Sequence, residues 1–229
     1  MLKRLIYYIL LCFFLIIFIY SCINISIQNN DLNKRIKLDK IYSNINGDSY
    51  RYLNIIDVYK SQYNNDDIVG ILNIDSLDIS SLIVKGKDNN YYLNHLENKD
   101  KSIYGSLMLD YRTDINDKIN IIYGHSSDNN FTPFSKLFNY LNYDFYKDNK
   151  YLEVIGDSTY NYKIFSVSLV DKNEYRHLII NSNNYLEQLN WFKDISIYKE
   201  DISFNSSDKI LILQTCYKDK FLLVVALKS

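Results

Sequence analysis

A thiol and an imidazole, each placed where an apolar run stops, are the residues of this chain whose chemistry stands out. Cys216 ends the stretch Ile210-Leu211-Ile212-Leu213-Gln214-Thr215-Cys216, in which four successive branched aliphatics suit a strand buried on both faces. His125 follows Ile119-Asn120-Ile121-Ile122-Tyr123-Gly124, a second apolar strand ending in a glycine turn. A rigid sheet displays reactive groups at its strand ends. A thiol brought beside an imidazole there is activated as a nucleophile. The chain has three cysteines, and the other two, Cys12 and Cys22, belong to an N-terminal apolar segment, so Cys216 has no partner for an intrachain disulfide in the remainder. The bland alternative is a small buried hydrophobe, as free cysteines often are. His95, after Tyr91-Tyr92-Leu93 on an expected helix, and His177, in the charged segment Lys172 to Arg176, fit a surface or capping role better than that of a base. No His, Cys, Asp or Glu set shows ligand spacing around Cys216, so no metal is expected.

The elements that must position the pair begin at Ile68. Candidate strands are Ile68 to Ile74, Ile79 to Lys85, Ser106 to Asp110, Lys118 to Tyr123, Tyr151 to Ile155, Tyr160 to Val170, Lys209 to Thr215 and Phe221 to Leu227. Eight short strands point to a mainly β barrel or sandwich. Helices interrupt the series. Thr132-Pro133 reads as a cap and first helical position for a helix through Leu141. Ser182 is the candidate cap of a second, running to about Asp194 with Tyr185, Leu189 and Phe192 on one face.

The N-terminus sets the compartment. Lys3 and Arg4 precede an apolar run from Leu5 to Ile23, long enough to cross a bilayer, and the basic residues predict an N-in, C-out orientation. Phe18-Ile19-Tyr20-Ser21-Cys22 lacks the small residues of a cleavage site, and Tyr20 fits a lipoprotein box poorly. Residues 1–24 are therefore read as an uncleaved anchor and 25–66 as a stalk of two short helices broken at Gly47-Asp48. Residues 67–229 form the functional domain. At 229 residues the chain has room for an anchor and one domain, and a net charge of −1 gives no case for binding nucleic acid. The 23 tyrosines are spread throughout and mark no site.

In this order the motifs resemble the sortases, the cysteine transpeptidases that attach proteins to the Gram-positive cell wall. The likeness is greatest to class B. Gly105-Ser106-Leu107-Met108-Leu109-Asp110-Tyr111-Arg112 is similar to that class's Gly-x-Leu-x-x-Asp-Tyr-Arg stretch, and Lys87-Asp88-Asn89-Asn90-Tyr91-Tyr92-Leu93 to its Asp-Asn-x-Tyr-Tyr-Leu segment. Tyr123-Gly124-His125 and Leu213-Gln214-Thr215-Cys216 match the two catalytic strands. The resemblance implies an eight-stranded barrel with inserted helices behind a transmembrane helix. It makes Cys216 the nucleophile on a sorting signal of a secreted protein. His125 becomes the acid and base that releases one amine and admits another, from peptidoglycan or its lipid-linked precursor. No cofactor is implied. Leu107, Tyr111, Thr215 and Tyr217 become groove residues.

One departure matters. The family carries an arginine early in strand eight, whereas this chain reads Cys216-Tyr217-Lys218-Asp219-Lys220-Phe221, with no arginine after Arg176. Either Phe221 or, by a one-residue slip, Lys220 takes that position, and such a slip exchanges the faces of the strand. Three readings stay open. Lys220, or Lys218, substitutes; Arg176 or Arg112 reaches the site from another loop; or the chain binds sorting signals as a wall-associated scaffold without joining them. A fourth possibility, a hydrolase in which water resolves the thioester, is not separable by sequence. Asp219 is a candidate to orient His125 or tether Lys220.

Overall fold

The computed structural model describes residues 2–46, 55–127, 132–172 and 184–229. Arg176, His177 and Ser182 lie outside the described residues. The chain divides into two compact units, Met1–Ser49 and Tyr50–Ser229.

The first unit is a single α-helix, α1 (Leu2–Asn46). The sequence led us to expect an anchor followed by a separate stalk helix. The two are continuous because neither glycine nor proline occurs before Gly47 to break the winding. Its segment Leu10–Lys34 is long and apolar enough to cross a membrane, and residues 10–23 are all exposed. The second expected stalk helix is α2 (Ile55–Tyr63), which opens the second unit and buries Ile56, Tyr59 and Tyr63.

The rest is a closed barrel. Its strands are β1 (Ile68–Ile74), β2 (Ile79–Val84), β3 (Leu107–Leu109), β4 (Ile119–Tyr123), β5 (Tyr151–Ile155), β6 (Thr159–Asp171), β7 (Ile210–Tyr217) and β8 (Lys220–Lys228). They close in the order β1-β2-β3-β4-β7-β8-β6-β5. The β2/β3 and β4/β7 pairs are parallel and the others antiparallel. All eight strands fall where the alternation of apolar residues and turn signals put them.

Alternation along each strand builds two apolar layers. Inside the barrel lie Leu72, Ile83, Leu109, Ile122, Val154, Ile164, Leu211, Leu213, Leu222 and Val224, among others. On the outside, Ile119, Ile121, Ile210, Ile212, Leu223 and Val225 pack with Leu189 and Phe192 of α4 (Tyr185–Asp194). The helix expected after Ser182 is therefore real and is capped by Asn184, whose side chain accepts from the Glu187 N–H. It explains why β7 and β8 are aliphatic on both faces. One face fills the barrel and the other lies under α4.

The segment Pro133–Leu141, where a helix is expected, is wound as a 3-10 helix. Its buried Phe134, Leu137 and Tyr140 recur every third residue, and threefold winding stacks them on one side against the barrel core. A short helix with no advance signal follows, α3 (Tyr143–Asp148), whose Tyr146 joins the same core.

Candidate active site

The site is assembled by the parallel pair β4/β7. Their register runs Ile119↔Ile210 to Tyr123↔Gln214. Two more steps along both chains set Gly124 beside Thr215 and His125 beside Cys216, on neighbouring strands that lie about 4.8 Å apart in a sheet. Three bonds extend the zipper past the last ladder pair. The Gly124 N–H donates to the Gln214 carbonyl at 3.1 Å. The Thr215 hydroxyl donates to the Gly124 carbonyl at 2.7 Å. The Ser126 hydroxyl donates to the Cys216 carbonyl at 2.5 Å. The residues on either side of His125 are thus tied to the strand that ends at the thiol. Gly124 is required by the packing, since a Cβ there would meet Leu107 Cδ2 and Phe134 Cδ2, both at 2.6 Å.

Cys216 is exposed, so the reading of it as a buried hydrophobe does not hold. The imidazole of His125 is half-buried, and its Nε2 lies 2.7 Å from the Leu93 carbonyl oxygen, to which it donates. That bond leaves Nδ1 as the nitrogen free to exchange a proton. The Leu93 carbonyl is held by a one-turn 3-10 helix, Tyr91–Leu93. Asp88 starts it by accepting the N–H groups of Asn90 and Tyr91 at 2.7 and 2.9 Å, bonds that pull its carboxyl below the usual range. Gly105 passes beneath at φ 56°, where a Cβ would meet the Tyr92 and Leu93 carbonyl oxygens at 2.6 and 2.7 Å.

Behind this face lies a polar knot, in which the ion pair of Arg112 with Asp110 is the one that the sequence neighbourhood of Arg112 suggests, while the bonds from Tyr123 and Asn89 carry no such signal. Asp110 is fully buried. It accepts Arg112 Nε at 2.9 Å and Nη2 at 2.7 Å, Tyr123 Oη at 2.7 Å and Asn89 Nδ2 at 3.0 Å. Burial opposes its charge, but the Arg112 bonds and then those of Tyr123 and Asn89 outweigh it and hold the carboxyl down at about 2. The guanidinium of Arg112 is committed to Asp110 and its pKa is raised by the same bond. Tyr123 immediately precedes Gly124-His125, so the knot anchors the end of β4. The Asp-Tyr-Arg triplet was the available signal.

The expected groove residues separate by face. Leu107 and Thr215 are buried at 2% exposure each, Leu107 in the barrel core and Thr215 in the zipper. Tyr217 lies at the barrel mouth, edge-on to Phe138 at 5.0 Å, and Tyr111 is exposed with the Arg112 guanidinium 5.8 Å from its ring centre. Lys220 is not brought to the thiol. Cross-strand partners share a face, and the β7/β8 register pairs Cys216 with Phe221 but Lys220 with Tyr217. On β6 Lys220 pairs with Asp171. The side chain opposite Cys216 is therefore a phenyl ring, and Lys220 belongs to the other face. The turn between them is tight, with Lys218 at φ 56°, and Asp219 is exposed. His95 stacks on Tyr91 at 4.0 Å and contacts the Tyr91 carbonyl through Nδ1, so its role is local to that turn. Among the described residues no group of three or more metal-ligating side chains occurs.

Comparison with known proteins agrees with this fold. The Sortase domain family matches residues 72–226. The chain belongs to the sortase family. Within it the likeness is to class B. Sortase B of Listeria monocytogenes is 31% identical over 161 residues, a match covering 68% of this chain and 65% of that protein's length. The crystal structure of Clostridium perfringens sortase B superposes with a TM-score of 0.70 at 31% identity, covering 76% of this chain and 98% of that one. Sortase B from Bacillus anthracis, in complex with AAEK1, gives a TM-score of 0.65 at 27% identity over 74% of this chain and 83% of that one.

Proposed function

We propose that this chain is a membrane-anchored cysteine transpeptidase of the class B type. The observation that carries the reading is the facing of an exposed Cys216 and a tethered His125 at the open end of the β4/β7 pair. The Cys216 thiolate attacks a backbone carbonyl of a sorting signal on a secreted protein, and the carbonyl π pair moves onto oxygen. As the C–N bond breaks, His125 gives its proton to the departing amine, leaving a thioester. An amine of peptidoglycan or its lipid-linked precursor then loses a proton to His125 and displaces the thiolate. Helix α1 is the anchor, with its basic N-terminal end cytoplasmic and the barrel outside the membrane. Leu107, Thr215 and Ser126 position the two reacting residues from below, while Tyr111 offers exposed aromatic surface to a peptide and the half-buried Tyr217 lines the barrel mouth beside Phe138. Lys220, the cation suggested by sequence spacing, has a weaker claim than its place in the chain suggested, because the register turns it from the thiol.

The full-length protein in detergent micelles is mixed with sorting-signal-like pentapeptides such as Asn-Pro-x-Thr-Asn and a glycine peptide as acceptor. A ligated product that vanishes in Cys216→Ala supports transfer. Cleavage without ligation would support a hydrolase instead. Peptide binding with neither would favour a scaffold, a reading to which the phenyl ring opposite Cys216 lends weight.

A further inference from the structure

The face of the sheet that carries Cys216 can be followed across three strands. Cys216 of β7 pairs with Phe221 of β8, and Phe221 pairs with Val170 of β6. Two residues beyond Val170, in the turn just past the end of β6, stands Lys172. Its side chain returns toward β7. Nζ lies 5.6 Å from the centre of the Phe221 ring and donates to the Lys218 carbonyl at 3.4 Å. The ammonium is thus held over the residue that faces the thiol, by a ring and by the turn that joins β7 to β8. Lys220 and Asp171 pair with each other on the opposite face, so neither competes there.

We infer that Lys172 supplies the positive charge at the Cys216 site, offering its ammonium to the carbonyl oxygen of a peptide lying over the thiol. The inference deepens the transpeptidase reading, since a charge aimed at an oxygen that becomes anionic lowers the barrier to thiolate attack. The electrons displaced from the carbonyl come to rest on that oxygen, beside the ammonium. A second strand therefore delivers the cation from the far side of Phe221. Lysine's long stem makes that reach possible where a short side chain would fail.

The charge is read without any substrate, so the test does not depend on the proposed activity. The full-length chain carrying Cys12→Ser and Cys22→Ser, in detergent micelles, is alkylated at Cys216 with anionic iodoacetate and neutral iodoacetamide at one pH. A cation near the sulfur favours the anionic reagent, and Lys172→Gln is expected to lower the iodoacetate-to-iodoacetamide rate ratio by roughly threefold, less at high salt. Lys172→Arg should restore the ratio, and Lys220→Gln should leave it unchanged. An unchanged ratio in Lys172→Gln, or an equal fall in Lys220→Gln, would overturn the assignment. With a peptide that acylates Cys216, Lys172→Ala is expected to lower kcat/KM on the order of tenfold or more, rescued by arginine. If no peptide acylates the protein, the transpeptidase reading fails while the alkylation ratio still decides the place of the charge.

Discussion

The two faces of the β7/β8 hairpin are made from the same residues in alternation, yet they do different work. The inner face, with Leu211, Leu213, Leu222, Val224 and Ala226, is closed over by Phe134, Leu137 and Tyr140 and ends at Tyr217 and Lys220. The outer face, with Ile210, Ile212, Leu223 and Val225, is closed over by Leu189 and Phe192 of α4 and ends at Cys216 and Phe221. The difference between a packed core and the face that ends at the exposed thiol is thus only one residue of phase. Lys220 is near Cys216 in sequence and turned away from it in space. Lys172 is far along the chain and lies against the thiol's cross-strand partner.

The largest expected loss on the outer face comes from the imidazole. His125→Gln keeps a donor for the Leu93 carbonyl but removes the proton carrier, and should lower peptide ligation by about a hundred- to ten-thousandfold with peptide binding retained. Steady-state kinetics that showed comparable kcat for wild type and variant would remove His125 from the chemistry.

A smaller effect is expected behind the same face. Asp110→Asn removes the charge that gathers Arg112, Tyr123 and Asn89, and should cost about 2 kcal/mol of stability, a Tm lowered by roughly 4–8 °C. The sign with pH is fixed by the depressed carboxyl, which sits at about 2 against an ordinary 3.8. Its stabilisation is present above the ordinary value and disappears as pH falls through about 2. The gap in melting temperature between wild type and variant, followed by circular dichroism, should be full at pH 6 and narrow below pH 4. A gap that stayed constant down to pH 2 would mean that the charge is not what stabilises the knot. The smallest effect belongs to the inner face, where Lys220→Ala should change ligation less than twofold.

Much of this was legible in the sequence because strand ends announce themselves. Thr-Cys and Gly-His follow aliphatic runs, and the β4/β7 register brings them together as their placement suggested. The face of Lys220 was not legible. It depends on where the hairpin turns, and Lys218 in a left-handed conformation permits a tighter turn than the residue types advertise. The tether of His125 was hidden for a different reason. Its acceptor is a backbone carbonyl at Leu93, and a carbonyl has no side-chain signature. The continuity of α1 was readable in the lack of glycine or proline before Gly47, but the change from apolar to polar residues near Asn24 suggested a boundary that the backbone does not have.

Trapping the acyl-enzyme tests the pairing of Cys216 with His125 most directly. The full-length protein is incubated with a sorting-signal-like peptide, split, and one half treated with hydroxylamine before intact-mass and peptide-mapping analysis. The expected result is a peptide adduct mapped to Cys216, released by hydroxylamine as a thioester must be, and lost in Cys216→Ala. A peptide that binds and is cleaved while Cys216 stays unmodified, with the Cys216→Ala variant cleaving equally well, would contradict it.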